Sequence, residues 1–205
     1  MRVYLLQKEH EHLFDMAYDI ALLPYPGSEN LKYQLLSTDK INIERRIDFL
    51  ANFNVVKSNT DYPVVEDDIE VFSKKMLNTI ERVGELNVRK FPITLIDDTY
   101  IVDNRFDADG QIRQDVPTIS YFYIIQILTF LKVFDYDNSE YKVLRSNPNM
   151  PGIIKKLVLK EPQGGFPPLF RIFEKPSSVF VSQKAKEALE ANNIKGCVFE
   201  EVEVS

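Results

Sequence analysis

The sequence predicts an α+β fold with mixed or antiparallel sheets and two similar strand–helix–strand units. Short β-rich runs and isolated amphipathic helices follow one another without the strict βαβ alternation of a parallel α/β sheet. A stretch near the end, "SVFVSQKAKEALEANNIKGCVF" from Ser178 to Phe199, also repeats the pattern of "IEVFSKKMLNTIERVGELNVRKF" from Ile69 to Phe91. Ser73 precedes Phe91 by 18 residues and Ser182 precedes Phe199 by 17, with Lys75 and Glu81 falling on Lys184 and Glu190. Two copies are fewer than the roughly three stacked units a solenoid needs. One α+β domain over residues 1–205 is therefore expected, with residues 1–60 an N-terminal portion ahead of the two units.

Taken in order, "RVYLLQ" reads as a short strand with Val3 and Leu5 on one face and Tyr4 and Leu6 on the other. "LPYPGSEN" is a loop by its Pro-Gly and Ser/Asn content, and "INIERRIDFLANF" fits either a helix or a strand and turn. "SNTDYP" is a turn, after which residues 64–72 are β-rich but studded with acids. Ser73 can cap a helix by accepting from an orphan backbone N–H, and Met76, Leu77, Ile80 and Val83 then form one apolar stripe. Gly84 is the candidate C-cap. In the strand that follows, Phe91, Ile93 and Leu95 alternate, and Pro92 suggests an edge or a strand start. In the second copy Val179–Val181 is the strand, Ser182 the cap, and Ala185, Ala188 and Leu189 the stripe. "ANN" and Gly196 end that helix, and "CVFEEVEV" is a closing strand. Between the copies come an Asp-rich loop, an aromatic-rich segment, the short strand "IIKKLVLKEP", and a turn, strand and turn in "QGGFPPLFRIFEKPSS".

Composition narrows the function classes. Apolar residues are 44% and charged residues 27% of the 205, the balance of a folded soluble chain. The single cysteine, Cys197, allows no internal disulfide, and the N-terminal "MRVYLLQKEHEH" is too short an apolar run for a signal peptide, so a cytoplasmic location is expected. The segment 119–134 is broken by Gln126, Thr129 and Lys132 and is shorter than the ~20 apolar residues of a spanning helix. A buried core element, and no membrane association, is the expectation. Net charge is −6; residues 61–120 carry 7 bases and 13 acids and account for that excess. Such a chain lacks the basic footprint of a nucleic-acid binder and suits a basic protein partner, though mild acidity also serves solubility alone.

No catalytic constellation emerges. His10 and His12 would share a strand face, but no further Cys or His completes the three or four ligands of a zinc or iron site. "DADGQ" at residues 107–111 fails as a calcium loop, because with Gly110 sixth the first and twelfth positions are Arg105 and Val116. The pairs Asp97–Asp98 and Glu200–Glu201 and the run Glu66–Asp67–Asp68 point alternately to opposite faces in a strand, so adjacency alone makes no acid/base pair. Gly164–Gly165 leads into "FPP" rather than a helix, so it is no phosphate cradle. Cys197 reads as a small buried filler. No metal site and no cofactor is indicated. A binding protein is the reading; the competing classes are a carboxylate-metal hydrolase, which would need converging carboxylates, and a non-catalytic adaptor subunit.

Within "PPLFRIFEKPSSVFVSQKAKEALEANNIKGCVFEEV" the order Leu-Phe-Arg-Ile, Phe-Val-Ser, a helix with Lys-Glu-Ala, an Ile-Lys-Gly turn and a final Phe-Glu resembles the C-terminal pattern of immunity protein family 11 of bacterial polymorphic toxin systems. "FSKKMLNTIERVGELNVRKFPITL" is similar to that family's central helix and Phe-Pro strand. "FDYDNSEY" is similar to its Asp-Tyr-x-x-Ser element, and "IIKKLVLKEP" to the strand before the closing motif. The likeness spans residues 62–204. It implies an α+β protein that binds and neutralises a cognate toxin domain, without catalytic residues, protecting the producing cell or its siblings. The matched positions are core and cap residues, so the partner surface is expected elsewhere. Charge nominates the acidic loop, with Asp97, Asp98, Asp103, Asp107, Asp109 and Asp115 as candidate contacts.

Overall fold

The structure, a computed structural model, describes residues 1–11, 18–100, 104–144 and 147–205. It is α+β. The strands are β1 (Val3–Lys8), β2 (Ile20–Leu22), β3 (Ile47–Ala51), β4 (Val71–Ser73), β5 (Val88–Asp97), β6 (Thr118–Ile127), β7 (Phe130–Leu131), β8 (Glu140–Leu144), β9 (Asn147–Lys156), β10 (Val158–Leu159), β11 (Leu169–Ile172), β12 (Lys175–Ser182) and β13 (Cys197–Val204). The helices are α1 (Leu31–Leu35), α2 (Phe53–Asn59), α3 (Lys74–Glu81) and α4 (Gln183–Ala191).

Two mixed sheets carry the fold. One has the order β10-β13-β1-β12-β11-β7 and the other β2-β3-β5-β6-β4; β8 and β9 form a separate antiparallel hairpin. The central strand β1 pairs antiparallel with both β12 and β13. Its alternation explains why it is central: Val3 and Leu5 enter one apolar cluster and Tyr4 and Leu6 another, so both faces are covered. In the second sheet β6 pairs antiparallel with both β4 and β5, and β3 pairs parallel with β5. The strands either side of α3 are thus separated by β6, and those either side of α4 by β1.

Three buried clusters follow from these faces. Phe49, Phe91, Ile93, Leu95, Phe122 and Ile124 pack beneath α1 and α2. The middle cluster joins the two sheets, with Phe72, Met76, Leu77, Ile80, Ile125 and Ile127 meeting Tyr4, Leu6, Val179, Val181, Ala185 and Leu189. The third, with Phe134, Phe166, Phe170, Ile172 and Phe180, covers the far side of the first sheet. Each fully buried Leu, Ile or Phe is worth about 1.5–3 kcal/mol.

The serine caps lie where the sequence places them. Ser73 Oγ accepts from Met76 N at 3.0 Å and Ser182 Oγ from Ala185 N at 3.3 Å. Several expectations need correction. Gly84 is not a left-handed cap, since α3 ends on Arg82 in the right-handed region. Gly84 is instead a close approach, where a Cβ would come within 3.0 Å of Pro168 Cγ. At the end of α4 Asn193 takes the left-handed conformation with φ 50°. Gly196, with φ 80°, meets the preceding turn: a Cβ there would collide with Thr60 Oγ1 and lie 3.1 Å from Tyr62 O. Pro92 sits in β5, between two neighbours, but β3 pairs with β5 only from Ile93 onward, so one side of the proline is free of a ladder. Of the β-rich run at residues 64–72 only Val71 and Phe72 lie in a strand, β4, because Glu66 and Asp67 form a turn and Asp68 adopts φ 54°. The segment 119–134 is β6 and β7, with Phe122, Ile124, Ile125 and Ile127 buried. No helix among the described residues is long and apolar enough to cross a membrane.

Candidate functional site

The acidic loop between β5 and β6 is folded largely by its own carboxylates and by arginines. Asp97 Oδ1 accepts from Thr99 N at 3.0 Å and Thr99 Oγ1 at 2.7 Å. Asp107 Oδ1 accepts from Asp109 N at 3.0 Å and Gln111 N at 2.8 Å, closing the turn in which Gly110 has φ 72°. Asp115 is held by a bidentate fork from Arg113, at 3.0 Å from Nε and 2.7 Å from Nη2. Arg105 Nη2 donates to Asp98 O at 3.1 Å, and Arg46 Nη1 and Nη2 donate to Gln111 Oε1 and Gly110 O at 3.1 and 3.3 Å. Partial desolvation of its carboxyl, then the charge of Asp97, raises the pKa of Asp98. Asp98, Asp107, Asp109 and Asp115 are exposed in the loop, and Asp97, the last residue of β5, is half-buried at its start; Asp103 lies outside the described residues. The loop is less negative than its composition suggests, because Arg46 is folded against it in addition to its own Arg105 and Arg113.

A second polar constellation is buried where the sheets meet. Arg171, on β11, is 2% exposed, and its Nη2 donates to Glu70 Oε1 at 3.2 Å. Tyr62 Oη donates to the other oxygen of Glu70, and Arg171 Nη1 donates to Pro176 O. Burial, then the charge of Glu70, pushes the Tyr62 hydroxyl well above its ordinary pKa, so at neutral pH it is a fixed donor. Lys8 Nζ donates to Ile69 O at 3.0 Å and stands 3.5 Å from Asp68, which Lys32 also contacts at 3.1 Å. Desolvation opposes the Asp68 carboxylate, but the charges of Lys8 and Lys32 prevail and hold its pKa below the usual range. A cleft of about 310 Å³ opens here, lined by Lys8, His10, Asp68, Lys175, Ser177 and Ser178 among others. Chemically the centre is a clamp. It ties β11 of one sheet to the segment entering β4 of the other, across 101 residues of sequence. Sequence reasoning missed it; the signal was an arginine inside the apolar run "PLFRIF".

Asp135 is a third hub. It is 1% exposed, and it accepts from Ser205 Oγ at 2.6 Å, Asn138 Nδ2 at 2.8 Å, Asp137 N at 3.0 Å and Asn138 N at 3.2 Å. The Ser205 and Asn138 bonds, more than the opposing desolvation, hold its carboxyl far below the ordinary value. Ser139 Oγ accepts from Val158 N at 3.0 Å, so this turn fastens β10 and the chain end. The Tyr136 hydroxyl beside it is pushed up to about 12 by desolvation and by its bond to Glu174. Cys197 is likewise pushed up to about 12, by burial and then by the charge of Asp61, so it is a thiol at neutral pH. His10 is exposed, and His12 lies outside the described residues. Among the described residues no group of three or more His, Cys, Asp or Glu is placed to hold a metal ion.

No curated protein matches the chain. A family match begins in the acidic loop and takes in Asp115, Asp135, Arg171 and the Ser182 cap, while Tyr62, Glu70, α3 and the Phe91–Pro92 strand precede it. Residues 110–204 match the model of the Immunity protein family (Imm11), the family that the motifs at 134–141 and 167–202 resemble.

Proposed function

We propose that this protein is a non-catalytic immunity protein that binds a cognate bacterial toxin domain and neutralises it by occlusion in the cytoplasm of the producing cell or its siblings. The match of residues 110–204 to the Imm11 family carries this reading. We also read residues 1–205 as one domain with two related strand–helix–strand units, supported by the cluster in which α3 and α4 both pack. The acidic loop is the proposed rim of the interface, with Asp97, Asp98, Asp103, Asp107, Asp109 and Asp115 steering a basic toxin surface. Its exposed Asp98, Asp107, Asp109 and Asp115 support that role. Co-expression with the product of the adjacent gene tests the function: rescue from toxicity together with co-purification is expected, and failure of both removes the reading. Association should slow as salt rises. Replacing Asp98, Asp107 and Asp109 by Asn should slow it further, by roughly tenfold if the loop steers the encounter; an unchanged on-rate would place the contact elsewhere.

A further inference from the structure

The β8–β9 hairpin is a two-stranded sheet hydrogen-bonded to neither main sheet. Such a ribbon is marginal on its own, and this one is anchored on one face only. Tyr141 and its cross-strand partner Ile154 pack into the cluster behind the first sheet, and Lys156 reaches Glu203 of β13 at 2.9 Å. The next cross-strand pair, Lys142 and Ile153, faces the other way by strand alternation. On the arm Ile153 is 64%, Val143 54% and Leu144 39% exposed. Lys142 and Lys155 are exposed and make no ion pair among the described residues. From Glu140 to Lys156 the sequence holds four bases and one acid, in a chain of net charge −6. An isolated arm has thus collected uncompensated cations around exposed aliphatic side chains.

We infer that the outer face of this arm is a docking surface for the toxin, and that it takes an acidic patch with an apolar centre. The inference rests on the immunity reading and goes beyond it by assigning a surface opposite in charge to the acidic loop. Two unpaired lysines flanking an exposed Ile suit a protein better than nucleic acid, whose phosphates want many cations and no aliphatic centre. A bilayer is the poorer fit too, because the face offers few cations and no exposed aromatic anchor. Ile153 supplies the desolvated centre and Lys142 and Lys155 the steering rim.

The test is binding of the full-length chain to the toxin domain encoded beside it, measured by surface kinetics with wild type, Ile153→Asp, and Lys142→Glu combined with Lys155→Glu. Ile153→Ser and Lys142→Gln with Lys155→Gln are the milder pair should a stronger variant lose its native far- and near-ultraviolet circular dichroism. At least a tenfold loss of affinity is expected for the strong variants and about threefold for the mild ones, while Lys142→Arg with Lys155→Arg binds as wild type. If wild type binds and protects but every arm variant binds within twofold of it, the arm assignment is overturned and the immunity reading stands. If wild type itself neither binds nor protects, both fall. If the variants lose binding only to phosphatidylcholine vesicles containing a quarter phosphatidylserine, or to a 20-nucleotide RNA, the arm serves a different partner and the assignment is overturned.

Discussion

Arg171→Met would remove the guanidinium from the interior while keeping most of the side chain's length and apolar stem. Among the described residues Glu70 would then keep Tyr62 as its only side-chain donor, with its charge uncompensated between two sheets. Taking one partner from a buried ion pair costs about 3–5 kcal/mol, because the remaining charge pays a desolvation penalty without its Coulomb partner. Pro176 O would lose its donor as well, but Pro176 is exposed and water can replace that bond at little cost. Desolvation therefore decides the sign here, even though an apolar replacement of both partners can be neutral. In a chain of this size 1 kcal/mol shifts Tm by about 2–4 °C, so a fall of roughly 10 °C is expected. Urea denaturation of wild type, Arg171→Met, Glu70→Gln and the double variant gives the coupling directly: the double variant should lose clearly less than the two singles together. If Arg171→Met costs under about 1 kcal/mol, or the two changes simply add, the centre is not a clamp and the argument from burial is wrong.

Two further outcomes follow from the perturbed groups. The folded pKa of Asp135 is depressed by its bonds to Ser205 and Asn138, so its contribution to stability is present above the ordinary carboxylate pKa of about 3.9 and is lost as pH falls below that value. Asp135→Asn should flatten the acid limb of a stability–pH profile; an unchanged acid limb would show that the hub is not what titrates. The thiol of Cys197, pushed up to about 12, should react slowly with a thiol-exchange reagent at pH 8 in the native protein and rapidly in denaturant. Fast native labelling would contradict its placement.

Local chemistry was legible in the sequence; approach between distant segments was not. Ser73 and Ser182 could be named as caps because the donor lies three residues along the same helix. The two faces of β1 could be read because strand alternation is a period of two. Gly84 was read as a cap because helix ends favour glycine, but its reason is Pro168, which no local pattern reveals. The six carboxylates of the acidic loop were visible as charge. That Arg46, just ahead of β3, would be folded against Gly110 and Gln111 was not. The Glu70–Arg171 pair was hidden for the same reason, since Glu70 is one acid among several in its run and Arg171 alone reads as an oddity in an apolar one.

This division bears on how such a protein can keep its fold and change its partner. The buried polar groups Ser73, Arg171 and Ser182 each satisfy backbone or side-chain partners inside the fold, and losing one costs from about 1 to several kcal/mol. Substitutions on the exposed arm or at the tip of the acidic loop fall, by the same reckoning, within about 0.5 kcal/mol of neutral for folding. Lys142, Lys155 and Asp109 are thus free to be tuned by binding alone. The two surfaces also differ in sign, one basic around an aliphatic centre and one acidic and held by arginines. If both proposed surfaces engage the partner, it must present complementary charge at each, and a toxin that satisfies only one is penalised. Discrimination under that proposal would come from two patches of opposite sign, while the capped helices and the buried Glu70–Arg171 pair hold the fold beneath them.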